Sequence, residues 1–144
     1  MARPVQIVLD TNVLVAALRS KTGAANLLMQ SLFRDQKWRL HVSTPLLFEY
    51  EAVLKRPEMR NFVSTTDVDD LIDAICSIAS DNEIFYLWRF MVRDPKDAFV
   101  FELAIRASVD YLITFNSKDF PNAEKFGVKL VTPRDFLTIV GEIT

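Results

Sequence analysis

Cysteine, histidine and glycine are all scarce in this chain of 144 residues. A single cysteine, Cys76, cannot form an intrachain disulfide, so nothing points to an oxidised, secreted scaffold. One Cys and one His, His41, cannot assemble a Cys/His zinc site. As a nucleophile pair they have no supporting motif. The three glycines, Gly23, Gly127 and Gly141, are too far apart for a GxGxxG turn or a Walker-type phosphate loop. No apolar run approaches about 18 residues, so no transmembrane helix and no membrane partner are expected. The opening MARPVQIVLD is short and soon acidic, unlike a signal peptide, which leaves the cytoplasm as the expected location.

Carboxylate is abundant. Twelve Asp and seven Glu outweigh 17 basic residues, for a net charge of −2. Such a chain does not look like a DNA coat or a basic nucleic-acid arm. It is compatible with an enzyme that meets nucleic acid through metal ions. With 50% apolar residues, the length suits one domain, residues 1–144, with a core of its own.

Short apolar runs alternate with helical periodicity. Strands are predicted at Val5–Leu9, Trp38–Ser43, Glu83–Leu87, Tyr111–Thr114 and Val128–Val131. Helices are predicted from Thr11 to Ser20, from Gly23 to about Phe33, and from Thr44 to about Arg56, where Thr44 is the expected N-cap and Pro57 the stop. Further helical stretches run from about Glu58 to Ser80, from Pro95 to Ser108 and from Thr132 to Glu142. Continuous apolar strands between helices imply an α/β fold, a three-layer sandwich with a central parallel sheet covered on both faces. Ligands in such sheets sit beyond the carboxyl ends of the strands.

Asp10 follows the first strand, a position suited to holding a cation or, equally, to capping the next helix. Asp94 and Asp97 open a helix at capping spacing, as do Thr132 and Asp135. A helical wheel separates Asp97 from an ordinary cap. It falls in the middle of the arc formed by Val100, Phe101, Ala104, Ile105 and Ala107, with Glu102 and Arg106 opposite. A carboxylate there needs a partner or a metal. Glu49 and Glu51 each lie roughly 100° from the centre of the stripe Leu46, Leu47, Tyr50, Val53, Leu54, and periodicity does not choose between them. Asn116 and Asp119 follow another strand end, where turn chemistry is the competing account.

Other polar features have plain explanations. Asp67, Asp69, Asp70 and Asp73 form the solvated face of an amphipathic helix. His41 fits a structural or exposed strand position, Cys76 a small core residue, and Trp38 a packed ring rather than an RNA-stacking one.

Taken together, five motifs in order resemble the PIN domain family over nearly the whole chain. They are Val8-Leu9-Asp10-Thr11-Asn12-Val13-Leu14; Ser43 with Glu49 and Val53-Leu54; Arg93-Asp94-Pro95-Lys96-Asp97; Asp110-Tyr111-Leu112-Ile113-Thr114; and Val131-Thr132-Pro133-Arg134-Asp135-Phe136-Leu137. The last is similar to the ending of a prokaryotic subfamily of toxins from toxin–antitoxin systems. The resemblance implies a metal-dependent ribonuclease with acids converging at the carboxyl edge of a parallel sheet. It implies Asp10, Glu49 and Asp97 as the principal metal-binding acids, and so chooses Glu49 over Glu51. Many relatives carry Asp where Asn116 stands here. Asn116 can offer a carbonyl oxygen, and Asp119 can partly replace the missing charge. Thr11, Asn12, Asp94 and Thr114 are implied as supporting or substrate-orienting groups. An all-oxygen donor set suits Mg2+ or Mn2+. RNA is the implied substrate, and a cognate antitoxin and a second copy of the chain are the implied partners. The competing readings are a catalytically weak PIN module that binds RNA or protein, motivated by Asn116, and a phosphoacceptor receiver domain, which expects an early acidic pair where this chain has Asp10 alone.

Overall fold

The computed structural model describes residues 3–82 and 97–144, the side chains of residues 81, 82, 97 and 98 excepted. Five strands, β1 (Gln6–Leu9), β2 (Arg39–Ser43), β3 (Ser80–Asn82), β4 (Tyr111–Ile113) and β5 (Lys129–Val131), form one sheet in the order β3-β2-β1-β4-β5. Every neighbouring pair is parallel. The helices are α1 (Thr11–Arg19), α2 (Ala24–Asp35), α3 (Thr44–Leu54), α4 (Thr65–Ile78), α5 (Asp97–Arg106) and α6 (Pro133–Ile139). The order 3-2-1-4-5 differs from the 2-1-3-4-5 order of receiver domains, so that alternative falls.

Burial explains why the central strand is uninterrupted hydrocarbon. Ile7, Val8 and Leu9 are all 0% exposed, although successive side chains point to opposite faces. Both faces of β1 are therefore covered, as a parallel sheet requires. On one of its sides α5 packs against β1 and β2, and α3 packs against β2, α1 and α4. Because all strands run the same way, every strand end meets the following loop or helix at one edge. That edge collects Asp10, Ser43 and Thr114.

Local chemistry sets the helix ends. Asp10 caps α1, Ser64 caps α4 and Thr132 caps α6. The α3 cap is Ser43 rather than Thr44: its Oγ accepts from the Leu46 N–H at 3.3 Å, so Thr44 is already helical. Ser108 ends the α5 region with a φ of 51°, and the Val109 and Ser108 amides reach back to Ala104 and Ile105 in the double bond of a Schellman turn.

Three further expectations change. The helix predicted over Glu58–Ser80 is a 3-10 turn at Pro57–Asn61, a break, and then α4. Pro57 starts the turn, and the Ser64 hydroxyl restarts the helix by accepting from Asp67 N–H. Ser80 belongs to β3 instead, and the strand predicted at Glu83–Leu87 lies outside the described residues. Cys76 is exposed, because Val68 and Ile75 alone form the fully buried line of α4. Glu102, expected opposite the apolar arc of α5, is 0% exposed, while Arg106 is exposed. Val100, Phe101, Leu103 and Ala104 are buried beside Glu102, so α5 is covered through most of its circumference.

Trp38 is a core residue. It is 7% exposed and meets Phe136 edge-on, with ring centroids 4.9 Å apart, and Phe136 meets Tyr111 at 5.6 Å. This aromatic group fastens α6 to the sheet. Phe136→Ala is expected to cost about 3–5 kcal/mol, read as a fall in the midpoint of urea unfolding with little change in its slope.

Candidate functional site

The site grows from the end of β1. The Asp10 amide donates to the Ile113 carbonyl at 2.9 Å, which holds the β1 and β4 ends side by side. Asp10 is 6% exposed. Its Oδ1 accepts from the Thr11 amide at 2.8 Å and its Oδ2 from the Thr114 hydroxyl at 2.7 Å. Capping and site placement therefore coexist in one carboxylate.

Thr114 is the hub of the β4 side. Its Oγ1 donates to Asp10 and also accepts from the Asn116 amide at 3.0 Å and from Asn12 Nδ2 at 3.4 Å. The Asn12 side-chain oxygen Oδ1 accepts from the Phe115 amide at 3.4 Å. The loop then enters a 3-10 turn at Ser117–Asp119, where the Asp119 amide donates to the Asn116 carbonyl at 3.0 Å.

On the other side of β1, α3 brings in Glu49. The Thr11 hydroxyl donates to Glu49 Oε2 at 2.6 Å. Glu51 instead lies 3.6 Å from Lys55 Nζ. The next residue after Glu49, Tyr50, is 0% exposed and donates its hydroxyl to the Leu9 carbonyl, one residue before Asp10. Sequence reading had Tyr50 only as the centre of an apolar stripe. The available signal was its phenol, which needs a partner when buried.

Burial dominates the electrostatics of Asp10, and the neighbouring acids add to it. Burial pushes the Asp10 carboxyl up from 3.8 to about 6. The bonds from Thr114 and Thr11 oppose the rise, while the negative charges of Glu49 and Asp119 add to it. The same site, after burial itself, raises the Tyr50 phenol through Asp10 and Glu49. His41 Nε2 lies 2.6 Å from the Gln6 side-chain oxygen, within the sheet.

The structure thus brings together Asp10, Thr11, Asn12, Glu49, Thr114, Asn116 and Asp119. Asp97 opens α5, and its side chain lies outside the described residues, as does all of Asp94. Among the described residues, no three acids, histidines or cysteines stand close enough to hold a metal on their own. The oxygen donors and the mutual repulsion at Asp10 nevertheless fit a hard divalent cation, which would favour the ionised carboxylate.

A pH test follows with a definite sign. The folded-state pKa of Asp10 lies above its unfolded value, so the native state holds the extra proton between about pH 4 and 6. Metal-free stability from this group falls as pH rises through that window, by on the order of 3 kcal/mol. In chelator, Asp10→Asn is expected to unfold at a higher temperature than wild type at neutral pH. The advantage should fade as the pH is lowered to about 4, and equal stability of the two proteins at both pH values would contradict the account.

Residues 6–118 match the profile of the PIN domain family. Among solved structures, the fold is similar to VapBC2 from Rickettsia felis, determined bound to a DNA fragment from their promoter. The TM-score is 0.58 over 89% of this chain and 98% of that one, at 14% identity, a likeness of fold. No curated protein is a significant match. The family profile spans most of the chain, including Asp10, Glu49 and Thr114 around one sheet edge, and the chain belongs to the PIN domain family.

Proposed function

We propose that this chain is a metal-dependent endoribonuclease that hydrolyses RNA phosphodiester bonds, the toxin of a prokaryotic toxin–antitoxin pair acting in the cytoplasm. One observation carries the reading: in a PIN-family chain, Asp10 sits at the carboxyl edge of the sheet with the charges of Glu49 and Asp119 near enough to raise its pKa. The similarity to VapBC2 supports an antitoxin partner. A homodimer is the proposed assembly.

Asp10, Glu49, Asp97 and Asp119 would hold the cation, Mg2+ or Mn2+, with the Asn116 amide oxygen as a neutral addition. When bound, the cation supplies a Lewis acid for the scissile phosphate and a lowered pKa for the attacking water. The chain's own residues fix the donors. Thr114 orients Asp10 Oδ2, and Thr11 orients Glu49 Oε2. Such outer partners limit rotation of the carboxylates and tune their basicity. Asn12 steadies the Phe115 backbone, and Asp94, three residues before Asp97 in the sequence, is proposed as a further orienting group. A cation also neutralises the acidic pocket, so a chain of net charge −2 can accept a polyanion. The second reading, a catalytically weak module that binds RNA or protein, rests on the uncharged Asn116.

Cleavage of mixed RNAs in Mg2+ or Mn2+ tests the reading. Asp10→Asn, Glu49→Gln and Asp97→Asn are expected to lower the rate by on the order of a hundredfold or more, and Glu51→Gln to leave it near wild type. Cleavage that persists in the three variants would sink the site assignment. Wild type that cuts no RNA under either metal would favour the binding module.

Thr114→Val should lower cleavage by about ten- to a hundredfold, and Thr114→Ser should recover most of it. Equal loss in both variants would show that the hydroxyl bonds are not what matters.

A further inference from the structure

Two successive residues of α3 hold the two chain neighbours of Asp10. Glu49 Oε2 accepts from the Thr11 hydroxyl at 2.6 Å, and the Tyr50 hydroxyl donates to the Leu9 carbonyl. The two contacts differ in their surroundings. Glu49 is half-buried, and water can compete for its carboxylate. Tyr50 and Leu9 are fully buried, so their bond has no such competitor.

The Tyr50 bond falls on the peptide unit that carries the Asp10 N–H. That N–H donates in turn to the Ile113 carbonyl at 2.9 Å. A line of hydrogen bonds therefore runs from α3 through the Leu9–Asp10 peptide to β4, and each bond in such a line polarises the next.

A tyrosine here answers a need of the sheet. The Val5 carbonyl accepts from the Arg39 amide at 2.8 Å, so every second residue from Val5 onward faces β2. Leu9 faces that way too, yet the β1–β2 pairs are Gln6–Arg39 and Ile7–Leu40, two residues short of it. A buried carbonyl needs a donor, and α3 supplies one from a side chain. Phenylalanine would fill the same core space without supplying it.

On the metal-site reading above, we propose that Tyr50 is a positioning residue: by holding the Leu9 carbonyl it fixes Glu49 against Asp10, and with that spacing the affinity of the chain for a divalent cation. Thr11 and Thr114 act directly on carboxylate oxygens. Tyr50 acts through the backbone, by setting where α3 lies along β1. Without its hydroxyl the helix keeps its core contacts, and the Thr11 bond alone leaves Glu49 free to turn.

The test is Mn2+ binding, read from the paramagnetic resonance signal of the free ion, alongside cleavage of mixed RNA. Tyr50→Phe should raise the Kd for Mn2+ by about tenfold or more, and saturating Mn2+ should return its kcat to within about threefold of wild type. Replacing Tyr50 by p-aminophenylalanine keeps the ring and a donor at the same place, and should hold the Kd close to wild type. Phe136→Ala, which removes a whole buried ring far from Asp10 in the sequence, should lower stability and leave the Kd unchanged.

An unchanged Kd in Tyr50→Phe, an equal rise in Phe136→Ala, or an equal rise in the amino variant overturns the positioning role and leaves the ribonuclease reading standing. If Tyr50→Phe does not fold, the amino variant decides: a Kd close to wild type supports the role, and a tenfold rise overturns it. Weaker Mn2+ binding by Tyr50→Phe, in a protein whose wild type cuts no RNA, supports the role and removes the catalytic reading. A wild type that binds no Mn2+ overturns both.

Discussion

Asp10 keeps only 6% of its surface in contact with water, and what the described residues offer it is a hydroxyl and an amide. Among those residues no basic side chain forms an ion pair with it. Burying a carboxylate on such terms is costly, and neutral donors recover part of that cost. The arrangement dictates its neighbours. The one O–H of Thr114 is committed to Asp10, so its lone pairs serve Asn116 and Asn12. The loop after β4 is thereby built around the acid. On the opposite flank, Thr11 is both the amide donor to Asp10 and the hydroxyl donor to Glu49.

The sheet makes this clustering possible. Parallel strands deliver their ends to one edge, and the order β2-β1-β4 puts α3 and the β4 loop on opposite sides of Asp10. Tyr50 closes the α3 side by binding the Leu9 carbonyl, so the helix that carries Glu49 is keyed to the strand that carries Asp10. The keying is a core contact as well as a hydrogen bond, since Tyr50 and Leu9 are both fully buried.

Much of this was legible in the chain. The apolar runs marked β1, β2, β4 and β5, and continuous rather than alternating hydrophobicity gave the parallel, covered sheet. Acids and amides just past strand ends marked Asp10, Asn116 and Asp119. Other features required tertiary information. Glu49 and Glu51 are equivalent on a helical wheel, and only the approach of α1 brings Thr11 to one and not the other. Glu102 looked solvated because a wheel assumes one buried face, whereas α5 packs on both the sheet and α3. Ser43 and Thr44 are both good caps, and the choice turns on which of them takes extended backbone angles at the strand end. Asp97 was singled out by the wheel, and its side chain lies outside the described residues.

One further consequence lies at the β5 edge of the sheet. This edge strand has only three residues, and Lys129 is exposed on it. Three residues provide few free ladder bonds, and a lysine among them is a known deterrent to strand addition. A chain that is half apolar thus avoids presenting a template for sheet growth on that side. Association there would have to proceed through side-chain surfaces rather than by continuation of the sheet.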